Sequence, residues 1–194
     1  MSEQTRWLPL VAAQPGIWLA DQLSPYSNAY AVAHVTELQG EISLPLLSAA
    51  IRHGLAEADT LHMVFEEIEG EAMQCPGQAP VIATEYHDLR AEADPRESAE
   101  HLIHQDLHSD LRLAPGKPMY RHLILQIADH HWLWYQRYHH IAIDGFSFTA
   151  LTKRIADIYT AFCQQSDAGP SPFTPLTDVV DEHLDYQQSA GWHC

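Results

Sequence analysis

The residues best suited to chemistry lie together in the segment His139-His140-Ile141-Ala142-Ile143-Asp144-Gly145. An imidazole titrates near neutral pH, so it can take a proton from an amine and return it to a leaving group. The residue pattern predicts that a strand ends at these histidines and that a helix begins at Ser147. Open sheets place reactive groups at such strand ends. The segment therefore predicts proton-transfer chemistry centred on His140.

The acidic residue of this segment, Asp144, is open to two interpretations. A loop folding back would bring its carboxylate near His140 without direct contact, and pairing with a buried arginine, Arg121 or Arg137, would hold the backbone. In the competing interpretation both histidines are hydrogen-bonded core side chains, and the aspartate is only a charge at a helix N-terminus. The next residue, Gly145, supplies either a positive φ or room for a substrate to approach.

A metal site is a weaker interpretation of the same histidines. The sequence has no HExxH pattern and no cysteine cluster, and adjacent histidines on a strand point in opposite directions. The three cysteines, Cys75, Cys163 and Cys194, are odd in number and far apart, which disfavours a disulfide framework. We therefore expect no metal and no directly bound cofactor, and we predict a reducing, cytoplasmic environment.

The charge balance bears on the class of partner. The 194 residues include 10 Lys plus Arg and 26 Asp plus Glu, a formal net charge of -16 with neutral histidines. Nucleic acids and anionic membranes require clustered positive charge, so neither is expected as a main partner. No uninterrupted apolar run approaches the roughly 18 residues of a membrane-spanning helix, so no membrane span is predicted.

Two strands and a helix must position the reactive segment. Residues 119–127 and 132–139 have the composition of strands and are separated by a short polar turn, which indicates a hairpin. Alternation would place Trp132, Trp134, Gln136 and Tyr138 on one face of the second strand and Leu133, Tyr135, Arg137 and His139 on the other. Because both faces carry large side chains, we expect a sheet covered on both sides.

The rest of the chain reads as helices alternating with strands. Asp94 followed by Pro95 and Glu97 is typical of a helix start, and Pro115-Gly116 should end that helix. A proline-rich stretch at 169–175 is typical of a stiff linker. The predicted helices cover residues 17–23, 43–56, 94–111, 147–162 and 177–189, and the other predicted strands cover 29–38, 61–65 and 72–75. This order predicts an α/β (α+β sandwich) fold.

Three segments resemble motifs of one family, the condensation domains of non-ribosomal peptide synthetases. His139 to Ser147 resembles the HHxxxDG motif, and Leu10 to Leu19 resembles the opening motif of these domains. Asp59 to Phe65 matches the RHExLRTxF motif only in part, because His62 stands where an arginine is usual. Within the opening motif, Gln14 and Trp18 are expected to be core residues rather than substrate contacts.

The resemblance implies a particular architecture. It implies a chloramphenicol-acetyltransferase-like lobe, in which helices pack on a mixed β-sheet, and this lobe is half of a two-lobed condensation domain with a tunnel between the lobes. Residues 1–168 would form the N-terminal lobe. Residues 169–194 would form a linker and the start of a crossover towards a C-terminal lobe, so the sequence would be a fragment or a truncated product.

The resemblance also implies a reaction. An acyl thioester on the 4'-phosphopantetheine arm of one aryl or peptidyl carrier protein meets an amine on a second carrier, and an amide forms. Carried over to this sequence, the resemblance makes His140 the catalytic residue, either as a general base or in positioning the amine. It implies that His139 has a packing or hydrogen-bonding role. Asp144 would keep His140 oriented, and Gly145 would leave the tunnel open. The amino-acid sequence is similar to those of siderophore synthetases, and this similarity implies a 2,3-dihydroxybenzoyl donor and a seryl acceptor.

Two alternatives remain open at this point. A stand-alone HxxxD acyltransferase using acyl-coenzyme A shares the shorter core of the motif, although the match at the N-terminus argues against it. A catalytically silent module that only docks carrier proteins would need no second lobe. The isolated chain is expected to be inactive or poorly folded, because its face towards the second lobe would be exposed. Its expected partners include that second lobe and the adenylation, carrier and thioesterase domains of a synthetase.

Overall fold

A computed structural model describes residues 6–26, 28–77, 84–114 and 116–189, without the side chains of 187–189. In chain order the elements are β1 Leu8–Pro9, α1 Gln14–Leu23, β2 Ala31–Gln39, α2 Leu44–Ala56, a 3-10 turn Asp59–His62, β3 Met63–Ile68, β4 Glu71–Pro76, β5 Glu85–Asp88, α3 Pro95–Leu107, β6 Tyr120–Ala128, β7 His131–His139, α4 Gly145–Cys163 and α5 Leu176–Ser189. The α/β architecture is therefore confirmed.

The larger sheet has the strand order β2-β7-β6-β5. Strands β6 and β7 form the predicted hairpin, with Tyr120 opposite Tyr138 and a register shift between Gln126 and Ala128. Strand β2 runs antiparallel to β7 along its whole length, whereas β5 runs parallel to β6. The sheet is thus mixed, with the reactive segment at the end of a central strand.

Both faces of this sheet are covered. Trp132, Trp134 and Tyr138 pack into the main core with α2, α4 and α5, while Leu133 and Tyr135 pack into a second core under α3. The alternation predicted for residues 132–139 is confirmed, and every residue of that stretch is buried. Because each face of β7 packs in a different core, a one-residue slip would exchange the two sets of side chains, which fixes the register.

The two long helices on the main core approach each other closely. A Cβ added to Gly54 in α2 would lie 2.5 Å from Cγ1 of Ile155 in α4. Ile51, Ile155 and Ile158 are all fully buried in the same core. The glycine therefore allows an α2–α4 distance that any other residue would prevent. This packing fixes α4, whose N-terminus adjoins the reactive segment.

A three-stranded sheet, with the order β1-β4-β3, lies beside the main core. The predicted hairpin at 61–65 and 72–75 is confirmed as β3 and β4. Strand β3 begins two residues later than predicted, after the 3-10 turn, and ends at Ile68, whereas β4 is one residue longer at each end. Strand β1 is a two-residue strand that pairs with Met73 and Gln74. Neither β1 nor β5 was predicted, because such short segments show no periodicity.

The third helix is shorter than predicted and ends at Leu107 rather than Leu111. Asp94 caps its first turn by accepting a hydrogen bond from the Glu97 amide, as its sequence indicates. At its end, the guanidinium of Arg137 donates to the main-chain oxygen of Asp106, which also accepts from the Ser109 amide. These bonds occupy a carbonyl that a continuing helix would need. Pro115, the predicted end signal, lies outside the described residues.

Residues after α4 pack against the same core. Arg154 in α4 pairs with Glu57 and donates to the carbonyl oxygens of Ala168 and Gly169, which ties down the start of the proline-rich stretch. Helix α5 buries Val180 in the main core. None of the helices in the described ranges combines the length and apolar character that crossing a bilayer requires.

Candidate active site

The reactive segment forms a tight loop between β7 and α4. The amide of His140 donates to the carbonyl of Tyr30 at 2.8 Å, and the amide of Ala142 donates to the carbonyl of His139 at 3.1 Å. Ile141, Ala142 and Ile143 are buried. The loop backbone is thus anchored in the core, while the side chains of His140 and Asp144 lie at the surface.

Of the two ring nitrogens of His140, Nδ1 has a hydrogen-bond partner among the described residues and Nε2 has none. Its Nδ1 lies 2.8 Å from the carbonyl oxygen of Ile143. A carbonyl oxygen only accepts, so Nδ1 carries the proton and the neutral ring keeps its lone pair on Nε2. His140 is exposed, whereas the residues before and after it are buried. The neutral ring can therefore accept a proton at Nε2, and the competing interpretation, in which both histidines are core residues, is wrong for His140.

His139 has the opposite environment. Its side chain and that of Asp21 in α1 are each 1% exposed, and His139 Nε2 lies 3.2 Å from Asp21 Oδ1. The amide of Ile141 donates to His139 Nδ1 at 3.2 Å. Burial lowers the pKa of His139, an effect that the hydrogen bond to Asp21 partly offsets. His139 is thus a neutral, hydrogen-bonded core residue, as predicted.

Gln14 supports the loop from the other end of α1. Its Nε2 lies 3.4 Å from the carbonyl oxygen of Ile141 and 3.1 Å from Oε1 of the fully buried Gln74. Its own Oε1 accepts the Val11 amide at 2.9 Å. Gln14 is buried as predicted, but it contacts the reactive loop as well as the core.

Asp144 is the N-cap of α4. Its Oδ1 accepts hydrogen bonds from the Ser147 amide at 2.8 Å and the Ser147 hydroxyl at 2.7 Å. These bonds hold the pKa of the Asp144 carboxyl below its usual range. The predicted pairing of Asp144 with Arg121 or Arg137 is wrong, because both arginines bind another carboxylate.

That carboxylate belongs to Asp106 at the end of α3. Arg137 Nε lies 3.0 Å from Asp106 Oδ2, and Arg121 Nε lies 2.9 Å from Oδ1. The hydroxyl of Tyr135 donates to Oδ2 at 2.8 Å, and both this hydrogen bond and burial raise the pKa of that tyrosine. Arg137 also donates to the Ser109 hydroxyl. This buried network holds α3 to the sheet on the face away from the main core.

Gly145, the first residue of α4, has no positive φ, so that predicted reason for the glycine is wrong. A Cβ built there would meet no atom within 4 Å. Among the described residues, then, nothing requires glycine at this position. Room for a substrate remains the proposed reason.

An apolar pocket of about 440 Å³ opens beside the loop. Ala142 and Ile143 form one wall, and Phe173 and Leu176, after the proline-rich stretch, form another. Phe146 lies at its edge with 90% of its surface exposed. Such a large exposed aromatic side chain is typical of a surface that meets another molecule or domain.

The role of Asp21 and the contact of Gln14 with the loop were not predicted from the sequence, although the spacing of these two residues indicates both. They lie seven positions apart in α1, so they share one helix face, and both are buried. A glutamine and an aspartate on the buried face of a helix require polar partners. The reactive loop supplies those partners.

Comparison with known proteins identifies the family and the fold. The model of the Condensation domain family matches residues 4–193. Enterobactin synthase component F of Escherichia coli O157:H7 is 50% identical over 186 residues, which cover 95% of this chain and 14% of that protein. The dimodular nonribosomal peptide synthase of Bacillus subtilis (strain 168) is 33% identical over 93% of this chain and 8% of its own length.

Solved structures agree with the sequence matches. The starter condensation domain of rhizomide synthetase RzmA superposes with a TM-score of 0.87 at 34% identity, covering 97% of this chain and 45% of that one. The first condensation domain of the CDA synthetase gives a TM-score of 0.84 at 26% identity, covering 95% and 46%. The chain thus spans less than half of these domains and a much smaller share of the complete synthetases.

Proposed function

Because this chain belongs to the condensation-domain family of non-ribosomal peptide synthetases, we propose that it is the N-terminal lobe of an amide-forming condensation domain. The observation that carries the proposal is the exposed residue His140, whose Nδ1–H donates to the carbonyl oxygen of Ile143 and whose Nε2 therefore carries the lone pair of the neutral ring. The site residues are His140 as the catalytic group, His139 and Asp144 as supports of its loop, and Gly145 as the residue that leaves room for substrate.

The proposed reaction joins two thioester-bound groups. The amine of the acceptor attacks the thioester carbonyl of the donor, so a C–N bond forms and the C–S bond breaks. His140 Nε2 takes the proton that the amine loses and returns it to the departing thiolate. General-base catalysis of this kind contributes about two to four decades in rate. A role limited to positioning the amine is the alternative for the same nitrogen.

The thioesters reach this loop on the 4'-phosphopantetheine arms of carrier proteins, which are the proposed partners together with the other domains of a synthetase. The arms belong to those carriers, so we propose no cofactor bound by this chain itself. We further propose that the chain acts in the cytoplasm, where thiols remain reduced.

The similarity to enterobactin synthase component F supports a role in siderophore biosynthesis. On that basis we propose a 2,3-dihydroxybenzoyl donor and a seryl acceptor. An assay of dihydroxybenzoyl against unsubstituted benzoyl and aliphatic donors, with seryl and other aminoacyl acceptors, tests this choice. Equal rates with all donors would contradict it.

The variant that tests the catalytic role is His140→Ala in a complete synthetase containing this chain. Amide formation should be lost while adenylation of the amino acid continues, because adenylation does not use this loop. His104→Ala, on the exposed side of α3, is the matched control and should keep both activities. Amide formation at the wild-type rate by His140→Ala would overturn the proposal.

A second experiment asks whether this lobe suffices. We expect no condensation by the isolated chain and activity when a second lobe is restored, because His140 is exposed where an opposing wall would shape the tunnel. A chain that docks carriers but stays inactive with the second lobe would favour the silent module. A stand-alone acyltransferase would have to take the second wall of its site from a neighbouring subunit. A chain that forms a trimer and is active with acyl-coenzyme A would therefore favour that alternative.

A further inference from the structure

We propose that Asp21 is a positioning residue for the reactive loop and that it acts through the tautomer of His139. The inference deepens the proposed function, since it concerns the loop that carries His140. Asp21 lies in α1, far from the loop in sequence, and neither the family motif nor the catalytic mechanism above assigns it a role.

The amide of Ile141, the residue that follows His140, donates to His139 Nδ1 at 3.2 Å. A ring nitrogen can accept this bond only when it carries no proton, so the proton of neutral His139 must sit on Nε2. The orientation of the peptide after His140 therefore depends on which nitrogen of His139 is protonated.

Asp21 selects that tautomer. Its Oδ1 lies 3.2 Å from His139 Nε2, and a carboxylate oxygen accepts but does not donate. Both side chains are 1% exposed, so water does not compete for the bond. The other oxygen, Oδ2, lies 3.5 Å from Nε2 of Gln22. With the carboxylate in place, the tautomer with a proton on Nδ1 would remove the donor to Asp21 Oδ1 and would set two N–H groups against each other, one on His139 and one on Ile141.

The carbonyl group of the same residue, Ile141, has a second partner. Gln14, on the same face of α1 as Asp21, lies 3.4 Å from the carbonyl oxygen of Ile141. Both polar groups of Ile141 are therefore bonded, one to Gln14 directly and one to Asp21 through His139. Helix α1 thus positions the loop through these two side chains, and a shift of α1 would displace the His140 ring.

Replacing Asp21 separates hydrogen bonding from charge. Asp21→Asn keeps an acceptor for His139 Nε2–H, and the Gln22 amide can rotate to accept the new N–H. Asp21→Leu has the same branched arrangement of side-chain heavy atoms without an acceptor. In a complete synthetase containing this chain, we expect Asp21→Leu to lower the kcat of amide formation by about tenfold to 100-fold with little change in KM. Small misplacements of reacting groups have effects of this size. Asp21→Asn should restore most of the lost rate.

A spectroscopic measurement on the 194-residue chain reports the tautomer directly. With 15N-labelled histidine, wild type and Asp21→Asn should show His139 protonated at Nε2 only, whereas Asp21→Leu should lose this pattern and exchange the Ile141 amide faster. Val180→Ala, a core substitution in α5, is the control for general destabilisation and should lower the melting temperature without altering the His139 signals.

Substitutions of His139 itself provide an independent comparison. In His139→Asn the amide oxygen takes the place of Nδ1 and can still accept the Ile141 amide. In His139→Gln the polar end reaches the place of Nε2 and retains only the contact with Asp21. The proposal expects more remaining activity in His139→Asn than in His139→Gln, and the reverse order would contradict it.

The proposal fails if Asp21→Leu keeps wild-type His139 signals and Ile141 exchange, or if Asp21→Asn is as impaired as Asp21→Leu. These outcomes differ from failure of the proposed function. If His140→Ala still formed amide, the catalytic role would be lost while the dependence of the His139 tautomer on Asp21 could still be measured in the chain.

Discussion

Asp144 accepts two hydrogen bonds from Ser147, one from its amide and one from its hydroxyl, and so closes the first turn of α4. Removing the cap in Asp144→Ala should lower the free energy of unfolding by about 1 kcal/mol. It should also lower condensation activity, because the cap adjoins the His140 loop. Urea unfolding of the wild type, Asp144→Ala and Asp144→Asn measures the first effect. Asn retains the cap, so a loss as large as that of Ala would contradict this role.

The capping contribution should also depend on pH. The pKa of the Asp144 carboxyl is lowered by its bonds to Ser147. The stabilisation is therefore fully present above the unfolded-state pKa and is lost as pH falls through the lower folded-state pKa. The stability difference between the wild type and Asp144→Ala should shrink under acid conditions. A difference that is constant down to the most acidic pH at which the chain folds would be inconsistent with a charged cap.

The ion pair between Arg137 and Asp106 predicts a larger effect. Both side chains are almost completely buried, so Asp106→Ala would leave a guanidinium without its carboxylate. Breaking a buried pair on one side costs about 3–5 kcal/mol. Asp157→Ala, which removes an exposed pair with Lys153, is the control and should unfold close to the wild type. Thermal melts that rank the two variants equally would refute a stabilising role for the network.

Two glycines in helices predict opposite outcomes. Gly54→Ala would place a Cβ 2.5 Å from Ile155, and overpacking of this kind costs about 1–3 kcal/mol. A Cβ at Gly16 in α1 would meet nothing within 4 Å, so Gly16→Ala should be neutral or stabilising. Differential scanning calorimetry of both variants checks this. Equal melting temperatures would mean that α2 and α4 can move apart at no cost.

His122 predicts sensitivity to acid. Complete burial lowers its pKa to about 3, and its Nδ1 accepts the Trp134 indole N–H at 3.0 Å. Because the folded-state pKa is depressed, the unfolded state binds the proton first, and stability falls as pH drops from about 6.5 towards 3. His122→Asn keeps an acceptor for Trp134 but does not titrate. Its stability should decline less steeply across this window, and a slope equal to that of the wild type would assign the acid sensitivity elsewhere.

The central elements of this fold could be predicted because they depend on local pattern. The large side chains on both faces of 132–139 indicate a buried strand, and the Asp94-Pro95 start of α3 follows from capping chemistry alone. The location of the reactive histidines at the end of that strand follows from the same pattern.

Partners distant in sequence could not be predicted in this way. Asp144 and Asp106 both lie near the ends of helices, so the sequence does not show which of them pairs with Arg137. Only the packing of α3 on the sheet shows that the partner is Asp106. The parallel pairing of β5 with β6 involves four residues, too few for a periodic signal. The role of Asp21 likewise depends on where α1 lies relative to β7.

The pairing of β2 with β7 has a consequence for synthesis on the ribosome. Strand β2 ends at Gln39, but its partner begins at His131, so most of the lobe must emerge before β2 can acquire its neighbour. Non-local pairings of this kind form slowly and leave strand edges open in the meantime. A nascent chain would therefore present an unpaired edge of β2 to the cell until β7 has emerged, which makes it a natural client for chaperones during translation.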